Sequence, residues 1–315
     1  MLGFLAPIAV SVILATNPGG GWLAGVSASA WLICALTAAR IMIEVCDTHF
    51  HVYSEADRYP LIANRGYDPP VVSLNDYQKL FSPFGVRYMV LIQPSCYGTD
   101  NRCMLEDMAA TRAETRAIAA IAPDIADSEL NALHSAGVRG IRLNVMSVAG
   151  STIPQDRLRD VATKLSRLSW ALQTFVPIGR LPDIADTLLE TGLNILIDHF
   201  GSVDPALGIN PPTMKTLLRM LETGRCWVKL SAPFRISKAG PPYDDMVPYV
   251  KELVRARPDR MIWGSDWPYI HFIDKVGPAY NPLELLQRSI TDEAQLRAVL
   301  AGNAKALFGF AGQMR

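Results

Sequence analysis

Short apolar runs recur along the chain after residue 42, and stretches with helical spacing of their hydrophobic positions separate them. Runs that are apolar at nearly every position are typical of parallel strands covered on both faces. We interpret eight of them as buried strands, at residues 43–47, 87–93, 117–121, 140–145, 170–175, 194–198, 227–231 and 260–264.

The amphipathic stretches between these runs predict helices at residues 105–112, 127–136, 155–168, 182–191, 212–223 and 244–257. Alternation of strand and helix at this spacing is typical of parallel βαβ units. Eight such units close into an α/β barrel, so the predicted fold is a (β/α)8 TIM-type barrel. The segment 54–74, which contains Pro and Gly, is expected to overhang the mouth of that barrel.

The first 41 residues differ from the rest of the chain, because no charged side chain precedes Arg40. Residues 22–39 form an apolar run just long enough for a transmembrane helix. The positive segment that begins a signal peptide is missing from this sequence. We therefore divide the chain into an apolar N-terminal extension, residues 1–41, and a barrel domain, residues 42–315. Translation from Met42 is the favoured explanation of the extension, and a membrane anchor is the alternative.

Composition limits the classes of partner. The 315 residues carry 30 basic and 30 acidic side chains, which gives no reason to expect binding to nucleic acid. The five cysteines are scattered and form no Cys-x-x-Cys pair, so neither a disulfide framework nor a zinc knuckle is indicated. These features predict a cytoplasmic protein, with membrane association expected only through residues 1–41. No feature of the sequence indicates an oligomeric state.

Side chains with catalytic potential lie at the carboxyl ends of the predicted strands, where a barrel enzyme has its active site. His49 and His51 follow the first strand, His199 follows the sixth, and Asp266 follows the eighth. Histidines beside a carboxylate can bind a metal or move a proton in hydrolysis. A single histidine at a strand end is more often structural, but four such residues on one rim indicate an active site. The sequence therefore predicts a hydrolase.

Two arginines lie near the same rim. Arg142 interrupts an otherwise apolar strand, so it needs an anionic partner, either a carboxylate of the protein or one of a substrate. Arg235 lies past the seventh strand, where a lone arginine is more often a solvated or paired surface charge. Arg142 is thus the stronger candidate for binding an anion.

Six ordered segments carry a resemblance to a known family: residues 47–52 (Asp-Thr-His-Phe-His-Val), 93–101, 140–144, 197–201, 239–245 and 262–268 (Ile-Trp-Gly-Ser-Asp-Trp-Pro). Together they are far more specific than a His-x-His pair alone. From residue 43 to residue 310 the chain resembles the amidohydrolase superfamily, in its amidohydrolase-2 branch, and there the 2-pyrone-4,6-dicarboxylate lactonases and sugar lactonases. The resemblance implies a distorted (β/α)8 barrel of the metal-dependent hydrolase type, in agreement with the strand count.

The resemblance also implies the roles of the catalytic residues. Asp266 matches the aspartate that acts as general base on the attacking water. His49, His51 and His199 match histidines that polarise the scissile carbonyl, directly or through a metal. The positions that match substrate-binding residues are Arg142, Arg235, Ser95 and Phe175.

One departure concerns the substrate. The lactonases carry a further basic residue where this chain has Val148, so a substrate with two carboxylates is expected to be held less firmly. A related lactone or a monoanionic ester is as well supported as the pyrone dicarboxylate. The expected partner is therefore a small anionic lactone.

A second point concerns metals. The lysine or glutamate on strand four and the histidine on strand five that hold two metals in related enzymes have no counterparts in this sequence. We expect no required metal, as in the lactonase that the chain resembles. The alternative is one divalent metal such as zinc, bound by His49, His51, His199 and Asp266.

The predicted function is opening of a lactone, or of a related ester, of a small carboxylated substrate by general-base attack of water. Such an activity would belong to degradation of aromatic compounds. One alternative is a metal-dependent, non-oxidative decarboxylase of the same branch, although the acidic residue near strand one, Glu44, precedes the His pair. A second alternative is a catalytically inactive barrel that acts as a binding protein.

Overall fold

Eight parallel strands form one sheet in the order β1 to β8, so that strands adjacent in the chain are also adjacent in space. The computed structural model describes residues 43–144, 153–209, 211–277 and 280–310. The strands are β1 (Val45–Phe50), β2 (Val86–Ile92), β3 (Glu114–Ala119), β4 (Val138–Asn144), β5 (Ala171–Phe175), β6 (Asn194–Ile197), β7 (Cys226–Ser231) and β8 (Met261–Gly264). Each predicted strand overlaps one of these, and the predicted barrel fold is confirmed.

The barrel closes where the chain beyond β8 meets β1. The amide of Asp266 donates to the carbonyl oxygen of His49 at 2.7 Å, and the amide of His51 donates to that of Trp267 at 2.9 Å. Phe50 and Trp267 form a parallel bridge at the same place. Because these bonds join the first and last motifs of the chain, the predicted catalytic residues of both converge at the carboxyl end of the barrel.

Strand β1 ends at Phe50, whereas the sequence predicted its end at residue 47. Asp47, Thr48 and His49 are polar, yet all three side chains are fully buried. A prediction from apolar positions ends the strand at such polar residues, although the pairing of β1 with β2 continues to Phe50. His49 therefore lies within the strand rather than after it.

The helices are α1 (Leu74–Phe81), α2 (Arg102–Ala110), α3 (Asp127–Ser135), α4 (Gln155–Arg167), α5 (Ala185–Glu190), α6 (Pro212–Glu222), α7 (Val247–Ala256), α8 (Ile273–Val276), α9 (Glu284–Ser289), α10 (Glu293–Arg297) and α11 (Asn303–Phe308). The predicted helices correspond to α2 to α7. Helix α1 was missed, although Ser73 and Asp76 form a capping box at its start. The short helices α8 to α11 were missed as well.

Helix α11 closes the end of the barrel opposite the predicted site. Its Phe308 packs in one buried cluster with Val90 of β2 and Leu196 of β6. Lys305 of α11 lies 3.2 Å from the carboxylate of Glu44, just before β1, which places the helix at the amino ends of the strands. The carboxyl ends of the strands remain available for a site.

Within the described ranges, no helix is both long and apolar enough to cross a membrane. The N-terminal extension, residues 1–41, lies outside the described residues, and so does Val148. What the sequence predicted for these residues therefore stays a prediction.

Candidate active site

A cavity of about 290 Å³ lies at the carboxyl ends of the strands. It is lined by His51, Tyr53, Gly66, Tyr67, Ser95, Arg142, Phe175, Pro177, His199, Arg235, Asp266, Ile270 and His271. The cavity thus brings together all the predicted site residues except His49. That histidine is fully buried and contacts Asp266 from outside the cavity lining.

Asp266 has a different environment at each of its carboxylate oxygens. Oδ2 accepts a hydrogen bond from Nε of Arg235 at 2.6 Å. Oδ1 faces the Nε2 atoms of three histidines, at 3.5 Å from His49, 3.8 Å from His199 and 4.0 Å from His51. One oxygen is therefore held by a cation, and the other keeps lone pairs for a group in the cavity.

The rings of His51 and His199 are oriented by the partners of their Nδ1 atoms. Nδ1 of His51 lies 2.8 Å from the carbonyl oxygen of Ile92. Because a carbonyl can only accept, Nδ1 carries the proton, and Nε2 of a neutral His51 presents a bare lone pair towards Asp266. Nδ1 of His199 lies 2.9 Å from the hydroxyl of Ser231, which can take either role.

Burial controls the protonation of these groups. Burial, together with the smaller effect of the nearby positive charge of Arg142, lowers the pKa of His51 to about 3. Burial also holds the pKa of His49 and His199 well below the usual range. The pKa of Asp266 is raised by burial, and Arg235 opposes that rise. At neutral pH the histidines are therefore neutral, and Asp266 is a stronger base than an exposed aspartate.

Arg142 lines the cavity from β4. Its hydrogen bond to the carbonyl oxygen of Gln93 is long, at 3.4 Å, and its buried Nε has no partner among the described residues. No carboxylate in the described part of the chain lies within 4 Å of this guanidinium, whereas Arg235 is paired with Asp266. Arg142 is thus the arginine that remains available for an anionic ligand.

A buried polar network behind His49 was not predicted from the sequence. Lys229, in the middle of β7, is completely buried and donates to Oε1 of Gln173 at 2.7 Å. Nε2 of Gln173 donates in turn to Oδ2 of Asp198 at 3.0 Å. Lys229 interrupts a buried strand in the same way as Arg142, so the reasoning applied to Arg142 could have found it.

Aromatic side chains from two loops complete the cavity wall, and these were also missed. The hydroxyl groups of Tyr53 and Tyr67 lie 3.2 Å apart, and the ring of Tyr67 packs edge-on against His271. Tyr59 donates to the carboxylate of Glu106 on α2 at 2.6 Å, which fastens the segment after β1. The segment therefore forms part of the cavity wall, as its predicted position over the barrel mouth required.

The ligand atoms of His49, His51 and Asp266 lie within 4.8 Å of one another, so this cluster could hold a metal ion. The residue types suit a divalent cation. The charges around the cluster are less suitable for a metal cation, because Asp266 is already paired with Arg235 and the neighbouring Asp198 with Lys229. The ammonium group of Lys229, 3.4 Å from Nδ1 of His49, opposes a further cation there.

The barrel and its rim of histidines, aspartate and arginine define a hydrolase-type site. The chain matches the family described as Amidohydrolase (Amidohydro_2) over residues 46–310, and it belongs to that family. It is 34% identical to the 4-sulfomuconolactone hydrolase of Hydrogenophaga intermedia, over 84% of this chain and 88% of that protein.

Two further relatives are similar. The 2-pyrone-4,6-dicarboxylate hydrolase of Comamonas testosteroni is 31% identical, over 72% of this chain and 78% of that protein. The crystal structure of a suggested 2-pyrone-4,6-dicarboxylic acid hydrolase from Pseudomonas putida matches with a TM-score of 0.74 and 28% identity. That match covers 86% of this chain and 99% of the solved chain. The resemblance found in the sequence is therefore confirmed.

Proposed function

We propose that this protein hydrolyses a lactone, or a related ester, of a small carboxylated substrate. A candidate base and a candidate anion site line the same cavity, and this observation carries the proposal. Oδ1 of Asp266 accepts no hydrogen bond among the described residues, and Arg142 has no carboxylate partner among them. Two relatives are named as hydrolases of 4-sulfomuconolactone and 2-pyrone-4,6-dicarboxylate, which are cyclic esters with additional acidic groups.

In this proposal Asp266 is the general base. Arg235 holds Oδ2, so Oδ1 is the oxygen that takes a proton from a water molecule in the cavity. His51 helps to place that water, because its bare Nε2 can accept a hydrogen bond but cannot donate one. The pKa of Asp266 is raised by burial, which makes proton transfer from water less unfavourable.

His199 is the group that polarises the carbonyl. We assign the donor role to the hydroxyl of Ser231, 2.9 Å from Nδ1 of His199, so that Nε2–H is directed towards the cavity that His199 lines. A donor fixed in a site of low dielectric stabilises the negative charge that develops on the carbonyl oxygen. Phe175 packs edge-on against the ring, with centroids 5.6 Å apart, and limits its rotation.

Arg142 anchors the acidic group of the substrate. A planar guanidinium binds a carboxylate through two parallel hydrogen bonds, and it also suits a sulfonate. Ser95 lines the same cavity and offers a hydroxyl group. Because Arg235 is engaged with Asp266, we propose one firmly held acidic group per substrate rather than two.

During hydrolysis the oxygen of the water bonds to the lactone carbonyl carbon while its proton passes to Asp266. The ring carbon–oxygen bond then breaks, and the departing oxygen takes up that proton. The product is an open-chain acid. The proposal requires no metal, so activity is expected to survive treatment with a chelator.

A pH-stat assay tests this proposal. The panel contains 4-sulfomuconolactone, 2-pyrone-4,6-dicarboxylate and a neutral lactone of similar size, each with and without chelator. We expect acid release from one or both anionic lactones, little from the neutral one, and no effect of the chelator. No acid release from any anionic lactone contradicts the proposal, and loss of activity with chelator, restored by zinc, contradicts its metal-free form.

The same assay separates the alternatives. A decarboxylase of this branch needs an acidic residue near strand one, but Glu44 is paired with Lys305 at the amino end of β1. Release of carbon dioxide in place of acid would support the decarboxylase. Binding of the lactones without turnover would support an inactive barrel that serves as a binding protein.

We further propose that residues 42–315 form the functional domain and act in the cytoplasm, without nucleic acid as a partner. Fractionation of the host cell tests the location. Recovery of the full-length chain in the membrane fraction would support the anchor alternative for residues 1–41.

A further inference from the structure

Lys229 occupies a position that the proposed catalytic steps do not use. Its side chain is completely buried inside the barrel and lies against His49 rather than the cavity. Burying a cation is unfavourable unless its protons are bonded and its charge is paired. The residues that bond and pair with the buried ammonium group of Lys229 therefore indicate the role of that group.

The ammonium group has three protons, and two of them are clearly placed. Nζ donates to the carbonyl oxygen of Thr48 at 2.8 Å and to Oε1 of Gln173 at 2.7 Å. The two remaining polar neighbours of Nζ are Nδ1 of His49, at 3.4 Å, and Oδ1 of Asp198, at 3.5 Å, so the third proton is available for Nδ1. Asp198 supplies the charge that pairs with Lys229.

The partner of Nδ1 decides which ring nitrogen of His49 carries the proton. Oδ1 of Asp198 lies 3.2 Å from Nδ1, yet it accepts no hydrogen bond among the described residues, so the ring does not donate to it. The other neighbour of Nδ1 is the ammonium group of Lys229, which can only donate. Nδ1 is therefore the acceptor, and the proton lies on Nε2.

We propose that Lys229 is a positioning residue that keeps His49 protonated on Nε2, so that His49 stabilises ionised Asp266 and cannot serve as a metal ligand. The first consequence is electrostatic: Nε2 of His49 makes no hydrogen bond among the described residues, but its N–H dipole would lie 3.5 Å from Oδ1 of Asp266. The second follows because a ligating imidazole needs a bare nitrogen. His199 does not replace it, because with Ser231 donating to its Nδ1 its Nε2 carries a proton as well. Of the four candidate ligands only His51 and Asp266 then keep a free ligand atom, fewer than the three protein ligands of a catalytic zinc site.

Lys229→Met tests this arrangement, since methionine is similar in length and carries no charge. Without the ammonium group, the unpaired Asp198 draws the proton of His49 to Nδ1, 3.2 Å away. Nε2 becomes bare and faces Asp266 together with His51. The variant should therefore gain the ability to bind a divalent cation that the original chain lacks.

The most direct readout is the nitrogen NMR spectrum of the histidine rings, which reports which ring nitrogen carries the proton. The chain has five histidines, so labelling of that residue type alone gives a resolvable set, and His49→Gln identifies the signals of His49. We expect the original protein to show the proton on Nε2 of His49 and Lys229→Met to show it on Nδ1. A proton on Nδ1 in the original protein overturns the proposal, even where the variant fails to fold.

Zinc content after exposure and dialysis is the second readout. We expect little zinc in the original protein and about one zinc per chain in Lys229→Met, which restores three protein ligands. Lys305→Met, which removes a lysine paired with Glu44 at the other end of the barrel, should match the original protein in both readouts. One zinc per chain in the original protein, lost in His49→Gln, also overturns the proposal.

The stabilisation of Asp266 in this inference rests on the proposed function, whereas the proton position and the zinc content do not. If the chain hydrolyses lactones, kcat of Lys229→Met without metal should fall about 10- to 100-fold with KM unchanged. An unchanged kcat overturns the positioning role. A chain without lactonase activity but with the proton on Nε2 contradicts only the proposed function.

Discussion

Arg142→Met removes the guanidinium group that we propose binds the acidic group of the substrate. A hydrogen bond to a charged partner contributes about 1.5–3 kcal/mol, and about 1.4 kcal/mol corresponds to a factor of ten. We therefore expect kcat/KM for an anionic lactone to fall about 10- to 150-fold, mostly through KM. A neutral lactone has no group for Arg142 to bind, so its slow turnover should not change.

The contacts of Arg142 also predict the stability of this variant. Its hydrogen bond to Gln93 is long, at 3.4 Å, and its Nε has no partner among the described residues. Removing these weak contacts costs little folding free energy. The thermal midpoint should therefore stay within about 2–4 °C of that of the original protein, which corresponds to roughly 1 kcal/mol in a domain of this size.

Arg139→Met is the matched control for this experiment. Arg139 lies on the same strand, β4, but donates to the backbone carbonyls of His134 and Val138 instead of lining the cavity. Its replacement should leave KM unchanged. If Arg142→Met keeps the original KM for anionic lactones while its thermal midpoint drops, Arg142 is structural and does not bind the substrate.

Three further changes have defined outcomes. Arg235→Met should raise the pKa of Asp266, because the positive charge of Arg235 lowers that pKa. Asp266 acts as a base only when it is ionised, so the acid limb of the plot of kcat/KM against pH should move to higher pH. An unchanged dependence of kcat/KM on pH would contradict the pairing of Arg235 with Asp266. Glu44→Gln should leave lactone hydrolysis unchanged, and lost turnover measured in the pH-stat would revive the decarboxylase. A chain that begins at Met42 should fold and stay active, as judged by sedimentation and assay; aggregation of this chain beside a soluble full-length protein would make residues 1–41 part of the fold.

The barrel could be predicted because parallel strands covered on both faces are apolar at nearly every position. Helices α8 and α9 could not, since each spans only one or two turns and depends on tertiary packing for its stability. Helices α10 and α11, which a π-helical segment at Ala298–Gly302 joins, were missed as well. The end of β1 was misplaced for a related reason. Three of its residues, Asp47 to His49, are polar and buried, and the partners of Asp47 and Thr48 include groups far away in the sequence, such as Ser265 and the carbonyl of Trp263.

The site was predictable where function shows as a motif at a strand end. His51, His199 and Asp266 were placed on the rim in that way, and all three line the cavity. The pairing of Arg235 with Asp266 could not be predicted, because the two residues come from different loops and only the fold brings them to 2.6 Å. Lys229 could have been predicted, because the sequence shows it as a charged residue within a strand that is otherwise largely apolar.

Asp266→Asn tests whether Asp266 is the base of a lactone hydrolase. The substitution keeps the size of the side chain, but the amide that replaces the carboxylate cannot take a proton from water. We expect the initial rate on the best anionic lactone to fall at least ~10²-fold, the lower range for loss of a general base, in a folded protein that still binds the substrate. Asp183→Asn, at an exposed carboxylate paired with Arg180, is the control and should keep full activity. Turnover close to that of the original protein in folded Asp266→Asn would show that Asp266 is not the base.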